Sequence, residues 1–442
     1  MYYFHQASKT ISSSSGGYSD TGMPIRDTFV ALTPGFHFQH AVFYEPVIPC
    51  DKSRIGIVIF HSDNDYSTWD IGGELAKRGY RVLAGRITSP EFTLDEKMID
   101  INRAVEFLRN YPGIEKVVLM GHSGGATLMT AYQRAAENGI SSLQNSSLLY
   151  SCTLNDELAP ADGMMILDSN WGNGSMTLVS IDPAVTETNK GLTLNPSFDI
   201  FSPENGFHPD GSTYSANFLK DYFLEQAERN NKIIDLALER LHAVETGKSF
   251  YVDDEPFIVP GGSQIGPCNK LIPQDLHLLS HTKGTHNLIH ADGSITNEII
   301  KSVRPVKHKQ NLSRHYSLAT LQTSVRGFLS ERAVYALPSY SIMDDCVTGI
   351  NWNTTYNCPP GNIAHIHAPL LCMGMTGGYE YLAAEEIYNN AASTDKTLAF
   401  VEGATHAFLP ETATEAYPGQ YGDTRKQLYD FADKWLSKKD RF

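Results

Sequence analysis

Short apolar runs alternate with amphipathic stretches over two separated parts of the chain. Ile55-Gly56-Ile57-Val58-Ile59-Phe60 is almost continuously apolar, the pattern of a strand buried on both faces of a parallel sheet. Runs of the same kind recur at 80–84, 116–120, 163–167, 368–374 and 397–401. Between them lie helical patterns at about 69–78, 94–110, 126–137, 381–392 and 424–438. The second of these carries Met98, Ile101, Ala104, Val105 and Leu108 on one stripe. Strand and helix in alternation, with strands of five or six residues, predict an α/β fold with a mostly parallel sheet. Ahead of it, β-rich segments at 28–32 and 36–47 flank a Pro-Gly turn and predict an antiparallel pair. The alternation stops after Asp168. From 169 to 366 the chain carries loops rich in Asn, Gly and Pro and one long helical stretch at about 214–244. This predicts a large, mainly helical cap inserted into a core formed by 26–168 and 367–442, with 1–25 as a flexible lead-in.

A chain of 442 residues suits one large domain with an insertion, or two domains. The net charge of −15, with no basic block, argues against nucleic acid and anionic membrane surfaces as partners. No apolar run reaches the length of a membrane span. The first seventeen residues lack a basic start followed by an apolar core, so a cytoplasmic location is expected. The six cysteines are scattered and read as thiols; Cys346 and Cys358 bracket a polar loop and are the pair that an oxidising compartment would join. Asn145, Asn173, Asn311 and Asn353 head glycosylation sequons that read as chance matches in that location. A homodimer is left open, and no motif supports one.

The chemistry concentrates at Gly121-His122-Ser123-Gly124-Gly125, which follows the run at 116–120 and opens a helical pattern. A serine between two glycines on a strand-to-helix turn projects its hydroxyl above the sheet edge. Gly124 leaves its N–H open to a developing oxyanion. With Phe60-His61-Ser62-Asp63 and Val401-Glu402-Gly403-Ala404-Thr405-His406, this elbow resembles the α/β-hydrolase superfamily over about 26–168 and 368–438. The resemblance implies Ser123 as nucleophile, His406 as base, and Gly124 and Asp63 as amide donors of an oxyanion hole. An imidazole is the base suited to neutral pH. The loop where the superfamily usually carries its acid reads Gly374-Met375-Thr376-Gly377-Gly378-Tyr379-Glu380, without an aspartate. Two candidates follow: Asp168, at the end of the strand after the elbow helix, is preferred, and Glu380 is the alternative. His61, Asp65, Tyr66 and His122 are candidate substrate contacts. His277 and His281, four apart, would share a helix face; lacking further ligands at metal spacing, they give no metal site, and no cofactor is implied.

The expectation is therefore a serine hydrolase, an esterase or lactonase, acting on a medium-sized, partly apolar small molecule in a pocket under the cap. The same residues also suit a non-hydrolytic cyclase or lyase, or an enzyme of carbon–carbon cleavage or acyl transfer. A binding protein on the same fold ranks last, because Ser123 and His406 are both present.

Overall fold

The structure is a computed structural model that describes residues 2–4, 22–33, 39–188, 191–263, 271–306 and 320–442. Its centre is a sheet of eleven strands. In chain order these are β1 (Tyr2–Phe4), β2 (Ile25–Ala31), β3 (His40–Pro46), β4 (Ile55–Phe60), β5 (Arg81–Arg86), β6 (Lys116–His122), β7 (Gly163–Leu167), β8 (His281–Ile289), β9 (Ile295–Lys301), β10 (Leu370–Met375) and β11 (Lys396–Val401). Across the sheet they run β1-β2-β3-β5-β4-β6-β7-β10-β11-β8-β9. The stretch from β5 to β8 is parallel, and both edges are antiparallel.

Side-chain alternation along each central strand divides the core in two. Ile55, Ile57 and Ile59 of β4 face one cluster, where α1 (Ile71–Lys77) and the closing helix Thr424–Leu436 supply Ile71, Leu75, Leu428 and Trp435. Val58 and Phe60 face the other, which α2 (Leu94–Arg109), α3 (Gly124–Asn138) and the helix Leu382–Asn390 cover. Helix α2 begins at Thr93, whose side chain and Glu96 satisfy each other's backbone N–H groups in a capping box.

Within the inserted region lie α4 (Asn173–Leu178) and the long α5 (Ala216–Glu245). The Ser215 hydroxyl caps α5 by accepting from the Phe218 N–H. Tyr222, Phe223, Ala227 and Ile234 on α5 belong to the same cluster as Val58 and Phe60, so this part of the insertion shares the core of the sheet domain. The region 169–366 is not wholly apart from the sheet. Strands β8 and β9 pair with each other, and β8 runs parallel to β11 with Leu288 opposite Phe400. Their connection, 290–294, turns at Asp292-Gly293, with Gly293 at φ +81°. The lead-in at 1–25 also differs from expectation in contributing edge strand β1; Ser12 to Gly17 lie outside the described residues.

The histidines of the inserted region do not converge. His281 begins β8 and is not on a helix with His277. Each of the four has its own carboxylate: His277 with Asp275, His281 with Asp344, His286 with Glu385, and His290 with Glu402. Cys346 and Cys358 are both free thiols, and Cys268 lies outside the described residues. Among the described residues no helix is long and apolar enough to cross a membrane.

Candidate active site

Ser123 stands between the end of β6 and the start of α3 at φ +53°, ψ −132°. A non-glycine residue at positive φ costs about 1–3 kcal/mol and persists only where the surroundings enforce it. Packing does so here. A Cβ on Gly121 would stand 2.6 Å from the Ala126 Cα, and one on Gly125 would stand 2.6 Å from the Phe60 carbonyl oxygen. Larger residues at either position would push the helix off the sheet and undo the turn. Asp168, just past β7, is also left-handed, at φ +47°. Its carbonyl accepts from the Ser123 N–H at 3.4 Å, so the two strand ends hold each other.

His406 follows β11 in a loop that comes back over the sheet edge. Its Nδ1 lies 2.7 Å from Asp168 Oδ2 and 3.1 Å from Glu380 Oε2. Asp168 is buried, and its other oxygen accepts the Met375 N–H at 2.8 Å. Burial pushes the Asp168 carboxyl above the usual carboxylate range, against the opposing pull of His406. The structure thus brings both candidate acids to one imidazole.

His122 and Tyr66, expected as substrate contacts, are hydrogen-bonded to each other and to the backbone of that loop. His122 Nε2 lies 2.8 Å from the His406 carbonyl oxygen, which can only accept, so Nε2 carries the proton. Nδ1 then accepts from the Tyr66 hydroxyl at 2.7 Å. Burial, followed by the charge of His406, holds His122 well below the ordinary imidazole range, so it stays neutral. Asp65 is likewise engaged: it caps the Ser67 N–H at 2.8 Å and faces His40 at 3.3 Å.

The loop after β4 corrects the expected second oxyanion donor. The Asp63 N–H is engaged, donating to His61 Nδ1 at 3.0 Å, and Asn64 donates to the same atom at 3.1 Å. His61 therefore carries its proton on Nε2. Its Cε1 is 3.1 Å from where a Gly124 Cβ would stand, and Ser62 Oγ is 2.8 Å from the same point, so these two residues wall the space beside Gly124. Burial pushes the His61 imidazole down to about 4.

The Asp63 side chain turns to cations that sequence reasoning did not assign. Arg332, at the end of a turn of π-helix (Phe328–Arg332), lies 3.1 Å away, and Lys97 of α2 lies 3.7 Å away. Burial works to raise the Asp63 carboxyl, but these two cations outweigh it and hold it below the usual range. Lys97 is wholly buried and binds both oxygens of Glu331, at 2.9 and 2.8 Å. Asn173 joins the group, donating to Ser62 Oγ and to Glu331, each at 3.2 Å, so it is no glycan acceptor in the folded chain. Lys97 carried a legible signal, a cation at helical spacing from Leu94 and Ile101 on the apolar stripe of α2. Glu331, Arg332 and Asn173 carried none. Beside Asp63 and Arg332 opens a cleft of about 880 Å³, walled by Phe92 from the core and by Asp254, Glu255, Gln322 and Thr323 from the inserted region.

The strand order β2-β3-β5-β4-β6-β7-β10-β11, with the serine turn after the fifth of these strands in chain order and the histidine loop after the last, decides the architecture. This is the α/β-hydrolase fold. No protein-family model and no curated protein matches the chain. Solved structures do. A bacterial heroin esterase is 12% identical over 95% of this chain and 85% of its own, at a TM-score of 0.41. Carboxyl esterase 2 from the mycorrhizal fungus Tuber melanosporum is 10% identical over 95% and 89%, at 0.38. Esterase B from Lactobacillus Rhamnosis is 15% identical over 36% of this chain, at 0.29; the match spans 52% of that esterase. The fold assignment rests on the strand order and the serine turn, not on these distant likenesses.

Proposed function

We propose that this α/β-hydrolase-fold protein is a serine hydrolase that cleaves an ester or lactone through an acyl-enzyme. The observation that carries the reading is that Asp168 joins the two: its carbonyl accepts the Ser123 N–H of the strained turn, and its buried carboxylate holds the His406 imidazole at 2.7 Å. With Nδ1 facing the carboxylates, His406 Nε2 takes the Ser123 proton as Oγ attacks the acyl carbon. The same proton then passes to the departing alcohol. Water, deprotonated by His406, releases the acyl group and regenerates Ser123. The oxyanion is held by the Gly124 N–H and by the Nε2–H of neutral His61, in place of the engaged Asp63 amide. The cleft at Asp63 and Arg332 takes the remainder of a medium-sized substrate that carries polar groups.

A fluorophosphonate probe followed by peptide mass spectrometry tests the reading. Label on Ser123, lost in His406→Ala, is the expected result. A folded protein whose Ser123 takes no label overturns it and favours the cyclase or lyase chemistry that the same fold accommodates.

A further inference from the structure

His406 Nδ1 carries one proton to donate, and two carboxylates from different strand ends reach it. Asp168 comes from the end of β7, at 2.7 Å. Glu380 comes from the loop that follows β10, at 3.1 Å. The Glu380 carboxylate has no other hydrogen-bond or ion-pair partner among the described residues. Its side chain is only 17% exposed. A first-turn helix charge, the bland account of this residue, would leave the carboxylate in water or on backbone N–H groups; here it is turned onto the imidazole.

The loop that carries Glu380 is fastened to the loop that carries His406. The Gly377 N–H donates to the Ala404 carbonyl at 2.7 Å, and the Gly403 N–H donates to Thr376 Oγ1 at 2.8 Å. The Ser302 hydroxyl, just past β9, donates to the Gly378 carbonyl at 2.8 Å. The Glu380 carbonyl accepts the Ala383 N–H at 2.9 Å, which starts the next helix. Acid loop and base loop are therefore one hydrogen-bonded body, and the 3.1 Å contact is built into it.

We propose that Glu380 is a second positioning residue for the base, an ion-pair partner of the His406 imidazolium beside the hydrogen-bonded Asp168. This rests on the hydrolase reading given above. Asp168, buried and fixed by the Met375 N–H, accepts the Nδ1–H hydrogen bond and sets the ring orientation. Glu380 adds a second negative charge to the imidazolium formed when Ser123 loses its proton.

The other titratable groups facing His406 do not offset that charge. His122 from the elbow lies tilted against the His406 ring at 4.5 Å between centroids, and His61 comes from the loop after β4; burial keeps both neutral. Asp63, Arg332 and Lys97 are paired with one another or with Glu331. The imidazole thus has two carboxylates as ion-pair partners. An opposite charge at such range raises an imidazole pKa by about 1–3 units, at the low end for a partly solvated partner. Removing Glu380 lowers it.

The test has two readouts. One is the His406 imidazole titration, followed by NMR in wild type, Glu380→Gln and Glu380→Asp; it needs no turnover. Glu380→Gln is expected to lower the midpoint by about one pH unit, with the shortened Glu380→Asp between. The other is the pH profile of kcat/KM on an aryl ester. Its acid limb should move down by the same amount in Glu380→Gln. Asp168→Asn should retain activity that Asp168→Asn/Glu380→Gln loses by about a further ten-fold. An unmoved His406 midpoint, or a double variant no worse than Asp168→Asn, overturns the proposal. If Ser123 takes no fluorophosphonate label while the NMR midpoint still moves, the hydrolase reading fails and the pairing of Glu380 with His406 stands.

Discussion

Lowering the pH should unfold this protein partly through one histidine. His61 is buried against Gly124 with Nδ1 accepting two backbone N–H groups, an arrangement only the neutral ring can hold. Its imidazole titrates at about 4 in the folded chain and at the ordinary 6.5 when unfolded. Between those values the unfolded chain binds the proton and the folded chain does not. The stability from His61 is therefore complete above pH 6.5 and is lost as the pH falls toward 4. At about 1.4 kcal/mol per pH unit, the gap corresponds to about 3 kcal/mol. Other groups also change stability in this window: His122 adds a loss of the same sign, and the raised Asp168 carboxyl opposes it. A variant isolates the term. In His61→Asn the side-chain oxygen can stand near the place of Nδ1 and accept the same N–H groups, but it does not titrate. Urea unfolding free energies should be measured for both proteins at half-unit steps from pH 7 to pH 4. Wild type minus variant should fall by about 3 kcal/mol across that range. A flat difference curve would show that His61 is protonated in the fold or solvated, and would remove its Nε2–H from the proposed oxyanion pocket.

Two further predictions concern the supports of the site. Lys97→Met leaves the Glu331 carboxylate buried without its cation and should cost about 3–5 kcal/mol by urea unfolding; adding Glu331→Gln should recover most of the loss, and an unchanged midpoint in Lys97→Met would refute the pairing. His122→Phe keeps the ring stacking but removes the donor to the His406 carbonyl, and strands the Tyr66 hydroxyl, so it should cost about 1–3 kcal/mol and slow fluorophosphonate labelling of Ser123 about ten-fold; a labelling rate equal to wild type would refute the scaffold role.

The central strands and the serine turn were legible because their determinants are local. A run such as Ile55 to Phe60 can only be a strand buried on both faces, and Gly121 and Gly125 stand where any Cβ would meet the backbone of Ala126 or Phe60. The hairpin β8–β9 carried a turn signal in Asp292-Gly293 but no alternating apolar pattern in its strands, and its parallel seat on β11 was not legible, since strand choice is a contact between segments far apart. The acid could not be chosen from sequence because Asp168 and Glu380 end different strands, and their distances to His406 depend on how three loops meet above the sheet. The Asp63 amide was misread for the same reason: a histidine two residues back took its N–H, and cations from α2 and the inserted region took its carboxylate.

The sequence by itself determined the period of each element, the strained turn that lifts Ser123, and the residue types that chemistry at neutral pH needs, because each is settled within a few positions by sterics and side-chain pattern. The tertiary structure alone decided which groups meet. Asp168 and His406 are 238 positions apart, and the buried Asp168 carboxylate, the neutral His61 and the Lys97–Glu331 pair take their character from burial and from neighbours the sheet order supplies. Charge and proton position depend on desolvation and on distances of a few ångströms, and neither exists until the chain has folded.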